Sequence, residues 1–215
     1  MEWGELSVGS QSETCFNRRF MQQEDRSRRI VDSALELAEQ GGFEAVRLRD
    51  VAAHAEVALG TLYRRFHSKE ELLVVALDRE MGALERRALR RLPPGETVLD
   101  RVTALFALIT DNFCRRPNVA RALLKALVSG DPELAHEVAG FHARVERLVV
   151  ASVRGKEVTL EEPPTESEKR LAWNIDLVWF ALIIRWSGGV STRDGVIEQT
   201  RDAARLMIDG WRRAA

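Results

Sequence analysis

Apolar residues recur at helical spacing from Asp25 onward. Ile30, Ala34, Leu37 and Ala38 share one face, charged residues fill the others, and Gly41-Gly42 supply a stop. Leu48, Val51, Ala52 and Ala55 repeat the spacing over a shorter stretch, and Leu62 and Phe66 face inward from a third short helix. Ser68, with Glu71 three positions on, reads as a capping box that opens a long fourth helix. Pro93-Pro94-Gly95 ends it, because neither proline donates the next backbone bond. The pattern then predicts helices over about 96–114 and 118–128. Another starts at Asp131-Pro132, an N-cap aspartate with proline in the first turn, and runs to about Arg154. GKEVTLEEPPTESEK reads as an acidic, mobile loop. Two last helices, about 165–187 and 192–213, are separated by Ser187-Gly188-Gly189. Residues 1–22, rich in Gly, Ser, Gln and Asn, show no sustained period and read as a mobile arm that includes Arg18 and Arg19. No segment alternates like a strand, so the expected fold is all-α, with about nine helices.

Composition narrows this little. At 215 residues, 45% hydrophobic and 30% charged, the chain has the balance of a globular protein able to bury a core without staples. Cys15 and Cys114 fit no disulfide or metal spacing and suit a reducing cytoplasm. MEWGELSVGS lacks the basic start and apolar stretch of a secretory signal. The longest apolar run, LVWFALII, is far short of the ~20 residues a spanning helix needs, so no membrane role is expected.

The net charge of −1 identifies no partner, but its distribution does. VALGTLYRRFHSK, residues 57–69, holds Arg64, Arg65 and Lys69 and no acid. It falls where a short helix, a tight turn and a second short helix, backed by a longer one, give a helix-turn-helix plan. A locally positive short helix suits docking in a DNA major groove with flanking phosphate contacts, and Arg26, Arg28 and Arg29 extend the same face. Gly60 costs ~1 kcal/mol against alanine inside a helix, and its bare backbone allows close approach to another surface.

VRLRDVAAHAEVALGTLYRRFHSKEEL resembles the DNA-binding region of the TetR family of bacterial transcriptional repressors, over about residues 26–77. The resemblance implies an N-terminal helix-turn-helix domain at 23–70 and a ligand-binding and dimerisation domain at 71–215. It further implies a homodimer that binds a palindromic operator in double-stranded DNA and releases it when a small molecule enters the second domain. Carried over, Tyr63 and Lys69 contact phosphates, Thr61 faces the DNA backbone or a base edge, Gly60 permits close approach, and Arg64 belongs to the same face. Three positions depart from the family pattern: Arg47 and Ala58 stand where residues that cap helices are common, and Arg65 replaces an aromatic. Arg47 and Arg65 then add phosphate contacts, or Arg65 reads a guanine edge, while Leu59 is placed to touch a thymine methyl. A helical protein-interaction module without DNA binding would explain the helices but not this motif.

Nothing points to an enzyme or a cofactor. His136-Glu137 begins like HExxH, but His142 lies six residues on, about 240° around a helix, so the pair cannot share a zinc. No GxSxG, P-loop or GxGxxG occurs. Beyond Pro93, the family resemblance places an apolar effector pocket among the helices, with Phe106, Ile109, Phe113, Leu127, Phe141, Val145, Trp173, Leu177 and Phe180 as lining candidates; core is the commoner fate of each. The last two helices carry apolar residues on more than one face: Ile175, Val178 and Leu182, then Val196, Ile197, Ala203, Ala204, Met207 and Trp211. One face is left to meet a second copy. Within the family, VALGTLYRRFHSKEELLVVAL and DLVWFALIIRW look most like regulators of steroid and cholesterol catabolism in actinobacteria, which implies a steroid acid or its CoA thioester as effector.

Overall fold

A computed structural model describes residues 10–155 and 162–214, with side chains from residue 23 to residue 213. Among the described residues nine α-helices follow one another: α1 Ser10–Ala45, α2 Leu48–His54, α3 Leu59–Tyr63, α4 Lys69–Arg90, α5 Val98–Cys114, α6 Pro117–Leu127, α7 Ala135–Arg154, α8 Glu166–Ser187 and α9 Arg193–Ala214. No strand occurs among the described residues. Nor is any described helix long and apolar enough to cross a membrane.

Most punctuation lies where the residue types put it. Gly41 and Gly42 leave helical geometry, Gly42 with φ of 66°, which interrupts α1 four residues before its nominal end. Ser68 accepts the Glu71 amide at 3.0 Å, but the box is not reciprocal: the Glu71 carboxylate accepts the amide of His67 at 2.6 Å, one residue earlier than expected. Two complete capping boxes stand elsewhere, Thr97 with Asp100 and Thr165 with Glu168. Asp131 accepts from Glu133 and opens a 3-10 turn, Pro132–Leu134, before α7 begins.

At the N-terminus α1 is helical from Ser10, so residues 10–22 of the expected arm have helical backbone. The expectations for residues 1–9, for the side chains of Arg18 and Arg19 and for the 156–161 part of the acidic loop lie outside the described residues.

Helices α1 to α3 form a small head. Ile30, Val31, Ala34, Leu35 and Ala38 give α1 a buried stripe, which α2 and α3 meet with Val51, Ala52 and Leu62. The rest forms a body whose core is continuous with that of the head. Helix α6 lies between them and packs on both α1 and α4. That position explains its composition, since Ala122 and Ala126 admit close neighbours on one side while Leu123, Leu124 and Leu127 fill the core. Ion pairs cross the same seam, Arg116 with Glu39 and Lys125 with Glu44. Helix α4 is tied to α7 by Glu85, nearly buried, which accepts from Arg144 at 2.6 Å and pairs with Arg147 at 2.9 Å.

Candidate nucleic-acid interface

Helix α3 has two unlike sides. Leu62 and Phe66 are buried at 0% and 2% exposure and dock it on the head, while Leu59, Gly60, Tyr63 and Arg64 face solvent. Leu59 and Tyr63 are one turn apart, as are Gly60 and Arg64, so the four form one outward surface. The turn that presents it is tight: Glu56 has φ of 54°, the left-handed region that glycine favours. Both Arg47 at the start of α2 and Ala58 at the start of α3 make no side-chain capping bond, so packing alone fixes these helix starts.

The sequence-derived DNA residues do not all share one environment. Thr61 is half-buried and its hydroxyl accepts from Arg64 at 3.2 Å, which lays the Arg64 guanidinium back along α3. Arg65 turns from the outward face: its guanidinium lies 5.6 Å from the Phe66 ring centroid and lines two open grooves of about 520 and 570 Å³ against α1. Arg26 and Ser27 line one of these, Ser27 and Arg28 the other. Arg47 is exposed at the edge of α2. Lys69 is half-buried, 3.4 Å from Glu44 and 3.9 Å from the Phe43 ring centroid. Among the described residues Arg26, Arg28, Arg47, Arg64 and Arg65 form no ion pair, and four of them, Arg26, Arg28, Arg64 and Arg65, line the grooves beside α3, where Glu24 is also present.

In the body, Phe106, Ile109, Phe113, Leu127, Phe141 and Val145 are all buried. Phe106, Phe113 and Phe141 surround Trp179, with centroids 5.6, 6.0 and 6.4 Å away, and the Trp179 indole N–H donates to Thr110 at 3.0 Å. They form a packed cluster. Phe180 is half-buried beside Phe141, but Trp173 and Leu177 do not join them and stand 49% and 41% exposed. The reason is helical phase: Leu171, Ile175, Trp179 and Leu182 form the inward stripe of α8, and Trp173 and Leu177 lie about 200° away from it. The helices expected to meet a second copy are phased in the same way. Ile175, Leu182, Val196 and Ala204 are buried within the chain itself, and Leu206 is the 72% exposed apolar residue on α9.

Two features of the body gave no signal in the sequence. One is a mostly apolar cleft of about 310 Å³ between α4, α7 and α8, with Leu89, Ala143, Val150 and Ala172 among its walls and Glu146 and Arg147 at its polar edge. The other is a polar pair beside that cleft, in which His142 Nδ1 and a carboxylate oxygen of the fully buried Asp176 are 2.6 Å apart. Burial pushes the Asp176 carboxyl up, against the pull of His142, and burial followed by the Asp176 charge does the same to Glu146. Among the described residues no group of three His, Cys, Asp or Glu side chains forms a metal site.

Comparison with known proteins gives concordant results. Residues 30–76 match "Bacterial regulatory proteins, tetR family", and residues 95–207 match "Tetracyclin repressor-like, C-terminal domain". The HTH-type transcriptional repressor KstR of Rhodococcus jostii is 35% identical over 192 residues, spanning 89% of this chain and 87% of that protein. KstR of Mycobacterium tuberculosis is 32% identical over 186 residues, or 86% and 82% of the two chains. Among solved structures, a TetR transcriptional regulator from Rhodococcus sp. RHA1 superposes with a TM-score of 0.76 at 22% identity, covering 86% of this chain and 97% of that one. Thermus thermophilus FadR, a repressor solved in complex with lauroyl-CoA, has a TM-score of 0.65 at 20% identity, covering 86% and 94%.

Proposed function

The chain belongs to the TetR family of bacterial regulatory proteins, and from that premise we propose that it grips a palindromic operator as a homodimer and lets go when a hydrophobic small molecule enters its body. Its relatives are transcriptional repressors, and the chain is a ligand-responsive DNA-binding repressor, not an enzyme. In this reading residues 23–70 are the reading head, preceded by an arm at 1–22, and 71–215 are the effector and dimer domain, working in the cytoplasm. The observation that carries it is the outward side of α3, where an exposed Leu59, Gly60, Tyr63 and Arg64 sit amid unpaired arginines in a chain of near-zero net charge. Tyr63, Arg64 and Arg47 contact phosphates, Gly60 lets the backbone approach, and Leu59 meets a base edge. Thr61 serves through Arg64. Arg65, turned toward α1, joins Arg26 and Arg28 on the flanking strand rather than reading guanine. Lys69 exchanges Glu44 for a phosphate at the start of α4.

Exposed Trp173, Leu177 and Leu206 support dimerisation through α8 and α9, and two-fold symmetry of the heads then demands a palindrome. The effector is a steroid acid or its CoA thioester, received at the apolar cleft between α4, α7 and α8. A fatty acyl thioester is the second reading, favoured by the lauroyl-CoA complex of FadR.

Selection from a pool of random duplexes tests the reading. The purified protein should enrich one palindrome, and steroid acids or acyl thioesters should then release it. Tyr63→Phe should weaken binding at least about 10-fold on every sequence, the worth of one hydrogen bond to a charged group. Absence of enrichment at low salt would leave an interaction module as the answer.

A further inference from the structure

One carboxylate at the end of α1 collects a lysine from the head side and a lysine from the body. Lys69 Nζ lies 3.4 Å from one oxygen of Glu44, and Lys125 Nζ lies 2.7 Å from the other. Both ammonium groups also sit over the Phe43 ring, 3.9 and 4.4 Å from its centroid. Two cations thus divide a single negative charge and a single aromatic face. Their combined pull, with Lys125 foremost, holds the Glu44 carboxyl below its usual range.

The division bears on DNA, because Glu44 and an incoming phosphate compete for the same Lys69 ammonium. Lys125 decides how strongly Glu44 competes. With Lys125 on one oxygen, the carboxylate is largely neutralised and Lys69 is free to exchange. Without it, Glu44 keeps Lys69.

We infer that Lys125, a residue of the body on α6, is a positioning residue for the DNA grip: by occupying Glu44 it releases Lys69 to the phosphate. The inference rests on the reading of Lys69 as a phosphate contact. It also supplies a route from effector to operator. Helix α6 is anchored to α1 at its other end, where Asn118 Nδ2 donates to the Glu39 carbonyl at 3.0 Å and Arg116 pairs with Glu39, and its inner face carries Leu123, Leu124 and Leu127 of the body core. A shift of that core that stretches the Lys125–Glu44 pair returns Lys69 to Glu44 and removes one phosphate contact per head.

A double-mutant cycle tests this on the duplex recovered by selection, with thermal unfolding measured alongside. Lys125→Gln should weaken binding about 3-fold, the scale of one exposed ion pair, at unchanged thermal midpoint. Lys125→Arg should retain wild-type affinity, and adding Glu44→Gln to Lys125→Gln should restore it. In a Lys69→Gln background, Lys125→Gln should have no further effect. An equal loss in both backgrounds would make Lys125 a generic positive charge and overturn the proposal alone. So would wild-type affinity of Lys125→Gln, or a loss that tracks the thermal midpoint. If Lys69→Gln itself binds as wild type, the phosphate reading of Lys69 falls and takes the proposal with it.

Discussion

A glycine inside a helix costs about 1 kcal/mol relative to alanine, and nothing within this chain requires it at Gly60. The residue lies in α3, and a Cβ built there meets no atom within 4 Å. The open side of Gly60 accords with the proposed close approach of DNA. Gly60→Ala should raise folding stability by up to ~1 kcal/mol in denaturant titration while weakening operator binding at least 10-fold, and a stabilised variant that binds as wild type would remove the close-approach argument. A second single-residue prediction concerns Glu168, which caps α8 and pairs with Arg154 at 2.7 Å, both side chains about 90% buried. The Arg154 hydrogen bond, outweighing burial, lowers its carboxyl to about 2. A depressed native pKa stabilises the fold above the unfolded value of 4.5 and stops doing so as pH falls toward about 2. Glu168→Gln should destabilise the protein by about 2 kcal/mol at pH 7, between the values for exposed and buried pairs, and the difference from wild type should shrink steadily below pH 4.5.

At the scale of elements, the helix-turn-helix is held by packing and not by its ends. Ala58 offers α3 no cap, and Glu56 holds a left-handed backbone that costs a side-chain-bearing residue about 1–2 kcal/mol. Ala58→Ser and Glu56→Gly should each stabilise by about 0.5–1 kcal/mol, additively only in part because the positions are neighbours, as chemical denaturation of the single and double variants will show. What was legible here divides cleanly. Helix stops and starts depend on residue types acting locally, so Gly41-Gly42, Ser68, Asp131-Pro132 and the Gly188-Gly189 break could be read from the chain. The missing cap at Ala58 was equally visible. Glu56 was not, since glutamate carries no sign of a left-handed turn. Nor could sequence foresee that Glu71 would reach past Ser68 to His67, because that depends on where the loop before α4 is held. Which face of a helix meets which neighbour was least accessible of all: Trp173 and Ile175 are both apolar and two positions apart, yet one is 49% exposed and the other buried.

That last distinction governs the whole molecule. An amphipathic helix announces one buried stripe, but α8 and α9 have residues for two, and only the packed chain shows which is already used. Ile175, Leu182, Val196 and Ala204 close the core of a single chain, which leaves Trp173, Leu177 and Leu206 exposed, Leu206 on a groove of about 440 Å³ that Leu171, Met207 and Trp211 help line. Large exposed apolar residues grouped on two adjacent helices are the surface a second copy would cover. Leu206, at 72% exposure, is the residue on which to test it, since changing it alters nothing inside the monomer. Leu206→Glu should leave helical content unchanged and convert the dimer to monomer in analytical ultracentrifugation, because two-fold symmetry would bring two carboxylates into one apolar interface. Operator binding should fall by at least 100-fold with it, because two joined heads engage a palindrome with the effective concentration of a linked pair and a single head does not. A Leu206→Glu protein that stays dimeric would move the interface elsewhere, whereas one that is monomeric yet binds undiminished would separate dimerisation from DNA recognition.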